Sequence, residues 1–90
     1  METYKIKKGF MLREVSGSYV VVPVGEASKS FKGLITLNES GAFLWNQLLK
    51  GMTKEELIKT LLNEYEVSEE IAERDCSSFI KKLVDGGLIE

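Results

Sequence analysis

Leu37-Asn38-Glu39-Ser40-Gly41-Ala42-Phe43-Leu44-Trp45 is the point at which the chain changes character. Before Asn38 the residues are β-branched and alternate between apolar and polar. After it, apolar residues recur three and four positions apart. Asn is also among the side chains that best begin a helix, because its oxygen accepts from the N–H groups that the first turn leaves without partners. The stretch therefore separates a strand half from a helix half. In 90 residues that order points to an α+β fold in which a small sheet and a few helices share one core.

Upstream, Phe31-Lys32-Gly33-Leu34-Ile35-Thr36-Leu37 reads as a strand with Gly33 as a bulge. Its alternation puts Phe31, Ile35 and Leu37 on one face and Lys32, Leu34 and Thr36 on the other. Gly25 to Ser30 reads as an exposed loop. Before it, Phe10 to Val15 and Ser18 to Val22 flank Ser16-Gly17, the pattern of a β-hairpin. Pro23 has no N–H for a ladder and marks the end of the second strand or an unpaired edge position.

Downstream, Asn38 caps a first helix with Ala42, Trp45, Leu48 and Leu49 as its inward stripe and Gly51 as its stop. Thr53-Lys54-Glu55-Glu56 is a capping box, opening a second helix that buries Leu57, Ile58, Leu61 and Leu62. Ser68 caps a third, with Ile71, Ala72, Cys76, Phe79, Leu83 and Val84 turned inward. Gly86-Gly87 end it, and Leu88 and Ile89 return to the core. The expected architecture is winged helix-turn-helix-like: a three-stranded antiparallel sheet followed by three α-helices. It forms one domain over residues 1–90, with residues 1–8 free to be flexible.

Composition narrows the function. The chain has no His and a single Cys, so the commonest general base and metal ligand is missing, and one thiolate cannot complete a zinc or iron–sulfur site. No catalytic residue, metal or cofactor is expected. Trp45, Tyr65 and Phe79 stand where helical periodicity already demands core residues, so they read as packing rather than a cofactor box. The longest apolar run, Tyr19 to Val24, is far short of the roughly 20 residues a membrane helix needs, and no secretory signal precedes it. The chain reads as cytoplasmic, with no membrane partner.

A winged helix commonly reads DNA, and a winged-helix DNA-binding regulator is the alternative reading. Charge opposes it. Net charge is −2 with a pI near 5.2, and the third helix sets Glu69, Glu70, Glu73, Asp75 and Asp85 against Arg74, Lys81 and Lys82. Duplex binding rests on phosphate contacts and needs a dense basic patch, so no nucleic-acid partner is expected. Arg74, Ser78 and Lys81 nevertheless share one helical face. The third strand is short and poorly charged, and a sheet edge offers unpaired N–H and C=O groups to any extended chain.

The order of motifs resembles the PqqD-like family. The resemblance rests on Gly9-Phe10-Met11-Leu12-Arg13-Glu14-Val15, Tyr19-Val20-Val21-Val22-Pro23, Gly33 through Trp45, Leu61-Leu62-Asn63-Glu64-Tyr65, and Asp75 followed by Phe79, Leu83 and Gly87-Leu88-Ile89. It implies a peptide-recognition element of ribosomally made, modified peptides, acting as a chaperone and not as an enzyme. The leader segment of a precursor peptide would add as a strand to the third strand, in the groove beside the third helix. Carried onto this sequence, the peptide-binding positions are Lys32, Leu34, Ile35, Thr36 and Leu37 on the strand and Arg74, Ser78, Lys81 and Lys82 on the helix. Arg74 and Lys81 would hold leader carboxylates. The implied partners are the precursor peptide and its modifying enzyme, often a radical S-adenosylmethionine (radical SAM) enzyme. The chain itself is expected to be a monomer or weak dimer.

Overall fold

The computed structural model describes residues 2–30 and 35–90. The central hairpin forms as the sequence implies. β2 (Phe10–Val15) pairs antiparallel with β3 (Ser18–Pro23), with Val15 opposite Ser18. The turn between them has φ of 50° at Ser16 and 82° at Gly17, the left-handed pair that matches strand twist in a two-residue hairpin. β3 is central: its other edge pairs with β4 (Ile35–Leu37) through Tyr19↔Leu37, Val20↔Thr36 and Val21↔Ile35. The expected strand over 31–37 is thus observed at 35–37, and 31–34 lie outside the described residues.

Two features were not anticipated. Ala27–Ser30, read as loop, forms a one-turn helix, α1. The first residues, read as free to be flexible, are tied to the body. β1 (Thr3–Tyr4) pairs with β5 (Met52–Thr53), and Ile6 is buried and bridges to Ile89. Backbone bonds of 2.8 Å from Lys7 N–H to Leu88 O and from Glu90 N–H to Lys5 O complete the tie. Neither feature was visible in periodicity, because one turn or two paired residues give no repeat to detect.

The three helices after the sheet begin at the side chains expected. α2 (Glu39–Leu48) starts where Asn38 Oδ1 accepts from the Gly41 N–H at 2.8 Å. A Cβ on Gly41 would stand 3.1 Å from that oxygen and 3.2 Å from Leu37 Cβ, so glycine lets the cap and the strand end close on each other. α3 (Lys54–Glu64) carries the complete capping box, Thr53 Oγ1 accepting from the Glu56 N–H and Glu56 Oε1 accepting from the Thr53 N–H. α4 (Glu69–Asp85) is capped by Ser68 and ends in a Schellman motif. There the Leu88 N–H donates to Leu83 O and the Gly87 N–H, at φ 77°, to Val84 O.

Val21, Leu37, Trp45, Leu48, Leu57, Leu61, Ala72, Cys76, Phe79, Leu83 and Leu88 fill one core, and among the described residues no polar side chain is buried with them. Three expected core positions differ. Leu49, on the same face as Ala42, is 45% exposed because the helix has ended at Leu48 and the face runs past the core. On α4, Ile71 and Val84 lie on the two flanks of the buried stripe and stay exposed, while Ile80 takes the place expected of Val84. At about 100° per residue, a helix this long drifts off a simple three-and-four pattern.

Candidate functional site

β4 borders the site because of its position in the sheet. The strand order is β2-β3-β4, and among the described residues no strand pairs with the outer edge of β4. Beside that edge runs a groove of about 290 Å³, between the β4–α2 junction and α4. Leu37, Leu44 and Phe79, each nearly fully buried, form its apolar floor. Thr36, Asn38 and Ser40 line one wall, and Asp75, Ser78 and Lys82 the other.

α4 runs antiparallel to β4 along this groove. Ile35 Cδ1, at the start of the strand, would lie 3.9 Å from a Cβ on Gly86, just past the helix. The strand's other end passes into Asn38 and the N-terminus of α2, which borders the same groove. Lys82 therefore stands toward the start of β4 and Asp75 toward Asn38.

The structure sorts the residues implied by the family resemblance. Thr36, Leu37, Ser78 and Lys82 come together in the groove. Ile35 is half-buried beneath the end of α4, and Lys32 and Leu34 lie outside the described residues. Arg74 and Lys81 do not line it. They point away from the core on the crest of α4, Arg74 pairing with Asp75 at 3.6 Å and Lys81 with Asp85 at 2.9 Å. Lys81 borders instead a second hollow on the opposite flank, with Tyr4, Lys54, Ser77 and Val84.

The physical reason is angular. Ser78 shares a face with Arg74 and Lys81, but the face that meets the groove is centred between Asp75 and Lys82, about 90° round the helix. Sequence reasoning missed Asp75 and Asn38 as groove residues. Their signal was present in the Asp75, Phe79 helical spacing and in the cap position itself.

Neither His nor Cys is among the residues that line the groove. Cys76 lies on the inward face of α4, completely buried, and burial pushes its thiol up to about 11, with Asp75 adding in the same direction. It is a packed thiol, not a reactive thiolate.

The model of the family described as coenzyme PQQ synthesis protein D (PqqD) matches residues 11–89. The chain belongs to the PqqD family. The match spans β2 through Ile89 and so includes both walls of the groove. Among solved structures, the chain is similar to TbiB1 in complex with the TbiA(beta) leader peptide. The identity is 23%, the TM-score 0.72, and the alignment covers 96% of this chain and 94% of that one. It is also similar to lasso peptide synthetase B1 complexed with the leader peptide, at 22% identity and a TM-score of 0.74, covering 97% and 96%. At these identities the likeness is one of fold. No curated protein matches the chain significantly.

Proposed function

We propose that this PqqD-family protein binds the leader segment of a ribosomally made precursor peptide by strand addition to the outer edge of β4. The peptide lies in the groove against α4 and is presented to a modifying enzyme, of the radical SAM class. The observation that carries this reading is a strand edge with no partner among the described residues, beside an apolar-floored groove, since strand addition needs both. Main-chain hydrogen bonds supply affinity, and the pockets that receive alternate side chains supply selectivity. The two structural neighbours were solved with leader peptides bound, which supports the reading by analogy.

The protein delivers substrate and is not itself the catalyst, acting in the cytoplasm as a monomer or weak dimer. Holding the precursor near the enzyme raises its effective concentration. One edge and one groove form an interface at or below the standard size, which suits moderate affinity and release after modification. The absence of His and the buried Cys76 thiol fit that role. The acidic balance of α4 disfavours duplex DNA as the occupant of the groove. Among the described residues no helix is long and apolar enough to cross a membrane.

The test begins with a pull-down from the native host that recovers small peptides as well as proteins. The recovered precursor is then titrated into isotope-labelled protein. The expected result is a change in the amide signals of Ile35, Thr36 and Leu37 together with Ser78 and Lys82. Changes confined to other surfaces, or capture of duplex DNA with a steep salt dependence, would sink the reading.

A further inference from the structure

The groove carries charge at both ends, and the two charges have opposite sign. Asp75 and Lys82 lie on the same flank of α4, and seven residues of helix separate them by about 10 Å along the axis. Phe79 lies between them and contributes to the floor with Leu37 and Leu44. The state of the two charged groups matters as much as their position. Of the three cations on this part of α4, Arg74 and Lys81 each have a carboxylate within 4 Å, whereas among the described residues the Lys82 ammonium has none. The Asp75 carboxylate is engaged only edgewise by Arg74, at 3.6 Å and half exposed to solvent, a pairing worth little. Both are open to an incoming chain.

An extended peptide on the β4 edge advances about 3.3 Å per residue and turns alternate side chains toward the groove. Positions i and i+4 are then about 13 Å apart, which a flexible lysine reaches, and position i+2 falls over Phe79. Antiparallel addition continues the pattern of the β2-β3-β4 sheet and is slightly favoured per residue over parallel addition. An antiparallel guest runs opposite to β4, and so in the direction of α4, from the Asp75 end to the Lys82 end.

Resting on the leader-binding reading above, we propose that the Asp75–Phe79–Lys82 flank reads a charge order in the leader. The order is a cationic residue, then an aliphatic or aromatic residue two positions later, then an acidic residue two positions after that. Asp75 takes the cation, the Leu37–Leu44–Phe79 floor takes the apolar side chain, and Lys82 takes the carboxylate. The two charged ends fix both the register and the direction of the strand. Backbone pairing alone does neither, because a one-residue slip preserves the hydrogen bonding while turning every side chain to the other face.

The experiment uses three synthetic peptides, blocked at both ends and otherwise identical in their neutral flanking residues. Their central segments are Lys-Thr-Leu-Thr-Glu, the reversed Glu-Thr-Leu-Thr-Lys, and the neutral Gln-Thr-Leu-Thr-Gln. Binding to the whole protein is followed by amide shifts of β4 and by titration at low and physiological salt. The forward peptide is expected to bind about tenfold tighter than the reversed one, as two half-exposed pairs change from attraction to repulsion, with the neutral peptide between them. The doubly exchanged protein, Asp75→Lys with Lys82→Glu, should prefer the reversed peptide. Both positions are exposed and outside the core, so folding is not at stake. Equal binding of all three peptides at the β4 edge would overturn the charge order and leave leader binding standing. Failure of all three to shift the β4 amides would overturn strand addition, and the charge order with it.

Discussion

Leu88→Ala tests the closure that holds α4 against the sheet. Leu88 is fully buried, and its backbone N–H closes the Schellman motif on Leu83 O, so one residue both ends the helix and plugs the core beneath it. Its methyl group also lies 2.9 Å from where a Cβ on Gly86 would stand, and Ile35 Cδ1 lies 3.9 Å from the same point. Trimming the side chain loses three carbons of burial, about 2.4 kcal/mol at 0.8 per methylene, and leaves a cavity whose cost lifts the total toward 3 to 4 kcal/mol. The partial collapse available to a chain-end segment keeps the value below the top of the range.

A domain of this length has a stability of about 5 to 13 kcal/mol, so the variant folds but loses a large part of its margin. With a urea slope of roughly 1 to 1.5 kcal/mol per molar, the midpoint should fall by about 2 to 4 M. The control is Val84→Ala, similar in size and in the last turn of α4 but 49% exposed, which should change stability by less than about 0.5 kcal/mol. The assay is equilibrium urea denaturation followed by Trp45 fluorescence, since Trp45 is buried in the same core. A midpoint shift under about 0.5 M for Leu88→Ala, or equal shifts for both variants, would refute the packing described for the end of α4.

Gly87→Ala forces an L side chain into φ 77° with no neighbouring atom to clash, so a backbone cost of about 1 kcal/mol should appear in urea denaturation. Thr53→Ala removes one half of the capping box and should cost about 1 kcal/mol, whereas Thr53→Ser should recover most of it. Cys76 should resist iodoacetamide at pH 8 in the native protein and react rapidly in urea. The unfolded chain releases the thiol proton near 9.0 and the folded chain only near about 11, so stability should fall as pH rises through that window. The loss reaches about 2 to 3 kcal/mol and should vanish from the pH profile of Cys76→Ala. Lys82→Glu should weaken precursor binding several-fold and Lys81→Glu less than about twofold in isothermal titration, because only the former faces the groove. The opposite ranking would return the site to the crest of α4.

The parts of the fold legible in the sequence were those whose signals are local and chemically specific. Asn38, Thr53 and Ser68 each began a helix because a short polar side chain at that position satisfies first-turn donors, whatever the tertiary setting. Ser16-Gly17 fixed the hairpin register for the same reason, two left-handed residues being a local requirement. The β1–β5 pairing had no such signal. Thr3-Tyr4 and Met52-Thr53 are unremarkable dipeptides, and their pairing goes with tertiary contacts, the packing of Tyr4 and Met52 on the core and the bond from Ile6 N–H to Leu48 O.

The groove-lining residues of β4 could be placed from periodicity and those of α4 could not, and the difference lies in how many faces each element has. A strand has two faces, so once Leu37 is assigned to the core, Thr36 must face away from it. A helix has a whole circumference. Knowing that Cys76 and Leu83 face inward leaves two flanks and a crest for the remaining residues, and nothing in the spacing says which flank meets β4. The antiparallel run of α4 past Ile35 decides it, placing Ser78 and Lys82 beside the strand and Lys81 beyond reach. Two adjacent lysines thus have different work. Lys81 closes an i,i+4 pair with Asp85 that steadies the last turn, and Lys82, one position on and about 100° round, borders the groove with no carboxylate within 4 Å among the described residues. An exposed cation with no carboxylate partner among the described residues contributes little to folding, and in the proposed reading an extended chain carrying a carboxylate along the β4 edge would supply that partner.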